Sequence, residues 1–568
     1  MKLDLSMYES FGDAFEDRLP KHGKDVALIE VNRDEESARY TYKELRQEAK
    51  RVAVLLQQLG LKPGDHCAIV MSNQSKWVIS GIAVYLCGGV IVPIDYKLSS
   101  EEHASYFRHC DPKIIVTEWG IREKWLADKT EIKSRVKILV TEAPEDKKEI
   151  RGHRWEAIVK GSPKPAKRTR DDVCAILYSS GTGGRIKGCM MTHANYLKQV
   201  ENFSLRVQMK RGDRYLSILP TNHGIDFVFG FLLPMILGAT VVHQRTLRPQ
   251  YLTSTLKDYQ IDITTFVPLI LKEIQKKIQS QIDSLTPVKK TVVHALQALH
   301  RAATPRPRHW LSKRVFQKVH EAFGGRLRLI MTGGTFIDSK LVRFFYNFGI
   351  FVGIGYGLTE AGTTVSTPVW EQFHDDNVGK LLPDTEVQIR NPDASGVGEI
   401  WVRSPCVMKG YYKDPDLTRE YLQDGWLRTD DLGTLDAKGF LRIKGRKKNI
   451  IVTPGGENIY PEDVETAFED LRELKEYCVF GTHYLWPDTP LLEEKLFLVA
   501  HPQDEVDITE LPERIRARNR SLAEQKRISG FLLWTEDFPR TGSLKLKREF
   551  LAKHITSNKK PVDIQRLL

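Results

Sequence analysis

Apolar residues in the segment 41–60, TYKELRQEAKRVAVLLQQLG, recur three and four positions apart, which predicts an amphipathic helix that stops at Gly60. The run His66-Cys67-Ala68-Ile69-Val70-Met71 then predicts a short buried strand before Ser72-Asn73. Residues 77–87 predict a second helix and 88–93 a second strand. The same alternation returns at 215–242 and 261–272, which predicts α/β layers with largely parallel, buried strands. The most apolar stretch, 225–242, is interrupted by Asp226, Gly230, Pro234 and Gly238 and is barely long enough to cross a bilayer. Its Leu237-Gly238-Ala239 turn followed by Thr240-Val241-Val242 predicts a buried helix and then a strand.

Beyond Gly379 the texture changes. Short β-like runs at 386–389 and 398–402 alternate with Gly, Asp and Pro turns, predicting a small β subdomain over 379–444. Past Arg446 a helix at 461–471 and strands at 477–480 and 495–500 predict a small α+β domain, 447–568, with its boundary at Lys447-Lys448-Asn449. A chain of 568 residues exceeds the reach of one hydrophobic core, so a large domain 1–446 and a small one are expected. No internal repeat is visible. The composition, 41% hydrophobic and 28% charged, is that of an ordinary globular protein.

The net charge of +12 is unevenly spread. Residues 272–328 hold thirteen Lys or Arg against Glu273, Asp283 and Glu321. Such a segment suits nucleic acid, an anionic membrane surface or an acidic cofactor, and equally a solvated helical surface. The seven cysteines, Cys67, Cys87, Cys110, Cys174, Cys189, Cys406 and Cys478, are scattered without a CxxC pair, which fits a reducing cytosol. The acidic start MKLDLSMYESFGDAFEDRL lacks the basic and apolar regions of a signal peptide, so a cytoplasmic protein is expected.

The strand-like Ala175-Ile176-Leu177-Tyr178 runs into Ser179-Ser180-Gly181-Thr182-Gly183-Gly184-Arg185-Ile186-Lys187-Gly188. Glycines let backbone N–H groups turn toward an anion, hydroxyls add donors, and Lys187 supplies a compact positive charge for a polyphosphate. It is not a Walker A loop, because Gly188 and Cys189 stand where that motif needs Ser or Thr. Read alone it is equally an ordinary flexible turn.

The loop resembles the phosphate-binding signature YTSGTTGxPKG of the adenylate-forming superfamily, which contains acyl-CoA synthetases, luciferases and peptide-synthetase adenylation domains. Gly183 replaces a threonine and Ile186 a proline. Later motifs follow in the family's order, so the likeness covers nearly the whole chain. Gly333-Gly334-Thr335 resembles the glycine segment lining the adenine pocket, and Gly355-Tyr356-Gly357-Leu358-Thr359-Glu360 resembles YGxTE. The resemblance implies Tyr356 against adenine, Thr359 near the α-phosphate and Glu360 on Mg²⁺. Gly425-Trp426-Leu427-Arg428-Thr429-Asp430-Asp431 resembles GWxxTGD, which would put Asp431 on the ribose hydroxyls, with Asp430 replacing a glycine. Arg446 would be a second nucleotide contact and Lys448 the interdomain hinge. Gly455, Gly456, Glu457 and Asn458 resemble the loop that serves the second half-reaction on the CoA side. In Pro539-Arg540-Thr541-Gly542-Ser543-Leu544-Lys545, Lys545 matches the catalytic lysine, while Lys547 and Arg548 read as solvated neighbours. His223, in Leu219-Pro220-Thr221-Asn222-His223-Gly224, would border the acyl pocket.

The resemblance thus implies a fold of layered α/β subdomains with a small β subdomain, followed by a mobile α+β C-terminal domain. It implies activation of a carboxylic acid by ATP and Mg²⁺, assisted by Lys545, Glu360, Thr182, Lys187 and His223, and transfer of the acyl group to CoA. The family's long-chain members carry a basic helical insertion where 272–328 stands, which points to a medium- or long-chain fatty acid and to peripheral contact with an anionic membrane at its inner face. Nucleic acid is not an expected partner. Two alternatives stand beside this reading: an acyl-AMP ligase that loads a carrier protein's pantetheine arm, and a catalytically degenerate nucleotide-binding regulator.

Overall fold

A computed structural model describes residues 3–146, 153–157, 159–179, 186–303, 309–333, 337, 339–369, 374, 377–452, 458–486, 494–504, 506–540, 546–559 and 563–567. The chain separates into two compact units, the first formed by residues up to 386 together with 402–427, the second by 387–401 and 428 onward.

The first unit is built on two sheets. In one, strands Phe351–Gly355, Leu329–Gly333, Ile263–Thr265, Arg214–Ser217, Thr240–Gln244 and Val26–Asn32 run parallel in that order, closed by an antiparallel Glu35–Thr41. In the other, Val90–Pro93, His66–Val70, Ile114–Glu118 and Lys137–Thr141 form a parallel core next to Val173–Ser179. Lys187–Thr192 pairs antiparallel with Val173–Ser179, and Gly410–Tyr411 pairs antiparallel with Lys187–Thr192. The first sheet buries Leu216, Val242, Ile330 and Val352 against Leu252, Leu256, Leu341 and Phe345 of its covering helices. The second buries Ala68, Val92, Ile115 and Ile176 beside Phe107 and Trp125.

The predicted helix at 41–60 is Tyr42–Gln58, and its start is specified locally. Thr41 Oγ1 accepts the Glu44 N–H at 3.2 Å, while Glu44 Oε2 accepts the Thr41 N–H at 2.8 Å. Such caps stabilise by about 1 kcal/mol. Leu45, Ala49, Val52 and Leu56 form its buried face, and the chain leaves it through Gly60 at φ +93°. The next helix, Ser75–Leu86, is buried nearly all round, and a Cβ on Gly81 would lie 2.8 Å from the Phe231 ring.

Residues 224–237 are helical, buried over 226–236, and lead into strand Thr240–Gln244, as the apolar pattern predicts. Phe227–Leu232 forms a π-helical turn, in which the Leu233 N–H donates to Val228 O, five residues back. Pro234 has no N–H to continue an α-helical ladder, so the register shifts just before it.

Strands Glu386–Arg390, Gly398–Arg403, Trp426–Leu435 and Leu441–Arg446, most of whose residues belong to the second unit, lie side by side in one sheet. A further sheet of Leu474–Gly481, Leu496–Pro502, Ile528–Leu533 and Gln565–Arg566 packs with helices Leu511–Arg520 and Arg548–Asn558. The helix expected over 461–471 is Pro461–Glu465 followed by a 3₁₀ turn, Thr466–Phe468. Arg548 corrects the expectation of a solvated neighbour. Its side chain is only 14% exposed and pairs with Glu465 Oε1 at 2.8 Å, so it ties the last long helix to the rest of the unit.

All seven cysteines are buried and unpaired. Among the described residues no helix is long and apolar enough to cross a membrane.

Candidate functional site

Several motif residues of the first unit stand at the carboxyl ends of its parallel strands, where open α/β sheets bind ligands. Gly333 and Gly355 end neighbouring strands in register, and a Cβ on Gly333 would meet Gly355 O at 2.4 Å. Tyr356 follows, 8% exposed, with its N–H donating to Ser366 O at 3.2 Å. Gly357 lies against the return of the same turn, where a Cβ would come within 2.0 Å of Thr363 O. Thr363 itself sits at φ +97°, a strained conformation for a β-branched residue. The turn at Thr359–Ala361 carries Thr359 and Glu360, both half-buried.

The segment that bears His223 leaves strand Arg214–Ser217 and abuts this turn, since a Cβ on Gly224 would lie 2.4 Å from Thr363 Oγ1. A buried polar network fixes it. Asn73 Nδ2 donates to Leu219 O at 2.5 Å, and Asn73 Oδ1 accepts the Thr221 N–H at 3.2 Å. Asp226, fully buried, accepts from Ser217 Oγ at 3.0 Å, Thr221 Oγ1 at 3.0 Å and Tyr215 OH at 3.2 Å. Burial pushes its carboxyl up to about 7, against the opposing pull of the three hydroxyls.

The other sheet supplies Ser179 and Lys187, which face each other across the first rung of an antiparallel pair. Tyr178, just before them, is anchored by a 3.0 Å contact of its hydroxyl with His109 Nδ1 and by an edge-on packing against Tyr106 at 4.6 Å. Lys187 Nζ lies 4.8 Å from the Tyr421 ring centroid and 5.8 Å from that of Tyr411. Tyr411 OH donates to Glu360 Oε1 at 3.1 Å, and the Met408 N–H donates to Glu360 O at 2.8 Å. One short segment, 408–411, therefore joins the Lys187 strand to the Glu360 turn.

A second constellation lies within the second unit. Asp431 and Arg446 are register partners on adjacent strands, and Arg446 Nε lies 2.9 Å from Asp431 Oδ1. Asp431 is 5% exposed, and its N–H donates to Thr429 Oγ1 at 3.1 Å. Asp430, standing where the resemblance has glycine, sits at φ +59°, which explains why glycine suits the position and why aspartate is a tolerable substitute. Its charge is met by Arg428, at 2.7 Å. Lys447 pairs with Glu399 Oε2 at 3.3 Å, and Lys448 pairs with Glu549 Oε1 at 3.0 Å.

The predicted Ser180, Gly181, Thr182, Gly183, Gly184, Gly334, Thr335, Gly455, Gly456, Glu457 and Lys545 lie outside the described residues, as does the side chain of Asn458. Three functional candidates escaped the motif reading: Tyr411, Tyr421 and Asp226. Asp226 stood out only as an interruption of an apolar run, and the tyrosines lie in a segment, 408–421, that none of the motifs covers.

Glu360 is suited to a hard divalent cation. Its carboxylate is anchored through one oxygen and stays partly exposed, and oxygen donors of this kind bind Mg²⁺ together with phosphate oxygens and water. Lys187 approaches the same tyrosine, Tyr411, from its ring face.

The defining pattern of AMP-binding enzymes matches residues 15–412. The chain belongs to this family. Among its relatives, the long-chain-fatty-acid–[acyl-carrier-protein] ligase AEE15 of Arabidopsis thaliana is 28% identical over 554 residues, covering 84% of this chain and 75% of the relative. The long-chain-fatty-acid–CoA ligase 1 of Schizosaccharomyces pombe is 28% identical over 478 residues, covering 78% of this chain and 70% of its own. The fold is also that of the anthranilate CoA ligase AuaEII solved with anthranoyl-AMP, with a TM-score of 0.78 at 20% identity over 97% of this chain and 98% of that one. As an AMP-binding enzyme the chain has mixed α/β architecture with a large N-terminal and a smaller C-terminal part, as the sequence predicts.

Proposed function

We propose that this AMP-binding enzyme activates a medium- or long-chain fatty acid with ATP and passes the acyl group to the thiol of CoA. The carrying observation is the convergence of Lys187 and Glu360 on Tyr411 beside the phosphate-loop strand. The acyl class is supported by relatives named for long-chain fatty acids. The basic segment 272–328, the place of the long-chain members' insertion, supports it too.

In the first step a carboxylate oxygen bonds to the α-phosphorus of ATP, the bond to the β-phosphate's bridging oxygen breaks, and pyrophosphate leaves. Two anions must meet, so most of the catalysis is electrostatic. A Mg²⁺ ion, when bound, supplies Lewis-acid neutralisation of the phosphate oxygens. Glu360 would hold it, Lys187 and the hydroxyls of Ser179, Ser180 and Thr182 would take the phosphates, and Lys545 would face the charge that develops at the reacting centre. Gly181, Gly183 and Gly184 would bring backbone N–H groups close to the same phosphates. Tyr356, with Gly333, Gly334, Thr335, Gly355 and Gly357, would bury adenine, Thr359 would reach the α-phosphate, and Asp431 with Arg446 would take the ribose. His223 would border the acyl group. In the second step the thiol sulfur bonds to the acyl carbon, the bond to AMP breaks, and the thiol proton leaves to solvent. Rotation at Lys448 would exchange Lys545 for the 455–458 loop between the two steps.

A second reading keeps the first step and changes the acceptor to a carrier protein's pantetheine arm, as in the name of the Arabidopsis relative. A panel of carboxylic acids with ATP and Mg²⁺, measured for AMP release with CoA, with a pantetheinylated carrier protein and with neither, tests both. CoA-dependent AMP release with a fatty acid is expected. Carrier-dependent release alone would select the second reading, and release indifferent to either thiol would overturn the synthetase.

A further inference from the structure

The Glu360 carboxylate is positioned from outside its own turn, by a residue more than fifty positions further along. Tyr411 is itself fixed on three sides. Its backbone pairs with Cys189, its N–H donates to Thr418 Oγ1 at 2.9 Å, and its ring meets Tyr421 edge-on at 5.8 Å. The residue is 2% exposed, so its hydroxyl has little freedom to turn away from Glu360. Its ring also lies beneath the Lys187 ammonium, which Tyr421 approaches more closely. The two opposite charges are thus each engaged by a tyrosine, the carboxylate by a hydroxyl and the ammonium by ring faces, and no ion pair joins Lys187 to Glu360 among the described residues.

That arrangement has a chemical consequence. A direct Lys–Glu pair would neutralise both groups and would have to be broken before a cation and a polyphosphate could take their places. Neutral hydroxyl and ring contacts orient the charges without cancelling them, which is preorganisation of the kind that keeps reorganisation out of the reaction.

We propose that Tyr411 is a positioning residue that sets the Glu360 carboxylate for the metal and, with Tyr421, seats the Lys187 ammonium for the phosphates. This rests on the reading of Glu360 as the metal-bearing carboxylate. Tyr411→Phe keeps the ring and removes the hydroxyl, and Tyr421→Leu removes the nearer ring.

The test uses the full chain and two binding measurements: Mn²⁺ titration in the presence of ATP, followed by the paramagnetic signal of the free ion, and ATP affinity without metal. Glu360→Gln is the reference. Tyr411→Phe is expected to raise the Mn²⁺ concentration at half-saturation about tenfold, the worth of one hydrogen bond to a charged group, while leaving metal-free ATP affinity within about twofold. Tyr421→Leu is expected to weaken metal-free ATP affinity and leave the Mn²⁺ midpoint in place. If Glu360→Gln shifts the Mn²⁺ midpoint and Tyr411→Phe does not, the proposal is overturned. If Glu360→Gln itself shifts nothing, the reading beneath it falls and takes the proposal with it. Equal weakening of both measurements by Tyr411→Phe would make the tyrosine a general structural support and would also overturn the proposal.

Discussion

Arg446 places its Nε 2.9 Å from the buried Asp431 Oδ1, across two antiparallel strands that set the residues directly opposite each other. The carboxylate is thereby held in one orientation and keeps oxygen lone pairs for two vicinal hydroxyl donors. If it binds the ribose, the enzyme should prefer ATP to 2′-deoxy-ATP. Asp431→Asn is expected to lower ATP affinity about tenfold and to erase that preference, measured by displacement of a fluorescent nucleotide. Retained discrimination would move the ribose contact elsewhere.

Asp430 occupies the left-handed region at φ +59°. Replacement by glycine relieves strain but adds freedom to the unfolded chain, and these effects are each about 0.5–1 kcal/mol. Asp430→Gly should therefore leave the urea midpoint nearly unchanged. Asp430→Val, which tolerates that backbone poorly, should lower stability by about 1–2 kcal/mol. A stable valine variant would show that the turn relaxes.

The carboxyl of Asp226 titrates near pH 7 in the folded protein and near its ordinary value once unfolded. Its stabilising contribution is whole below about pH 4 and is lost progressively as pH rises toward 7, because only the unfolded chain ionises it freely over that window. Asp226→Asn removes this loss. The melting temperature of the variant relative to the parent should rise between pH 5 and pH 8, and a flat difference would mean that the three hydroxyls hold the ionised form at no cost.

Much of the first unit's scaffold could be read from spacing alone, because its helices and strands are long enough to show a period and because caps such as Thr41-Glu44 are local. The π-helical turn was not legible, since a helix shifted by one residue keeps almost the same apolar pattern. Tyr411 was invisible for another reason: Gly410–Tyr411 is a two-residue strand that pairs with a partner over two hundred residues earlier. Arg548 looked like tail charge because its acids, Glu462 and Glu465, precede it by more than eighty residues. The ATP-handling motifs could be recognised in order, but the contacts that orient Lys187, Glu360 and Asp431 are tertiary.

His243 is 1% exposed, and neither ring nitrogen has a hydrogen-bond partner among the described residues. Burial drives its pKa down to about 3, so it stays neutral in the fold while the unfolded chain binds a proton below about pH 6.5. Stability therefore falls as the pH drops beneath that value. His243→Leu should raise stability by about 1–3 kcal/mol at pH 5 and by less at pH 8, read from urea denaturation at the two values. A loss at both would show that the imidazole packs better than an aliphatic chain.

An enzyme that manufactures activated acyl groups carries a standing hazard in its own sulfur. Here every cysteine is sealed away, and Cys189, the one beside Glu360, has its thiol driven far above the ordinary range by burial. Protonated and enclosed, it is no nucleophile. The chain's own thiols thus offer no trap for the acyl-adenylate it is proposed to make, and the acceptor thiol has to be delivered from outside.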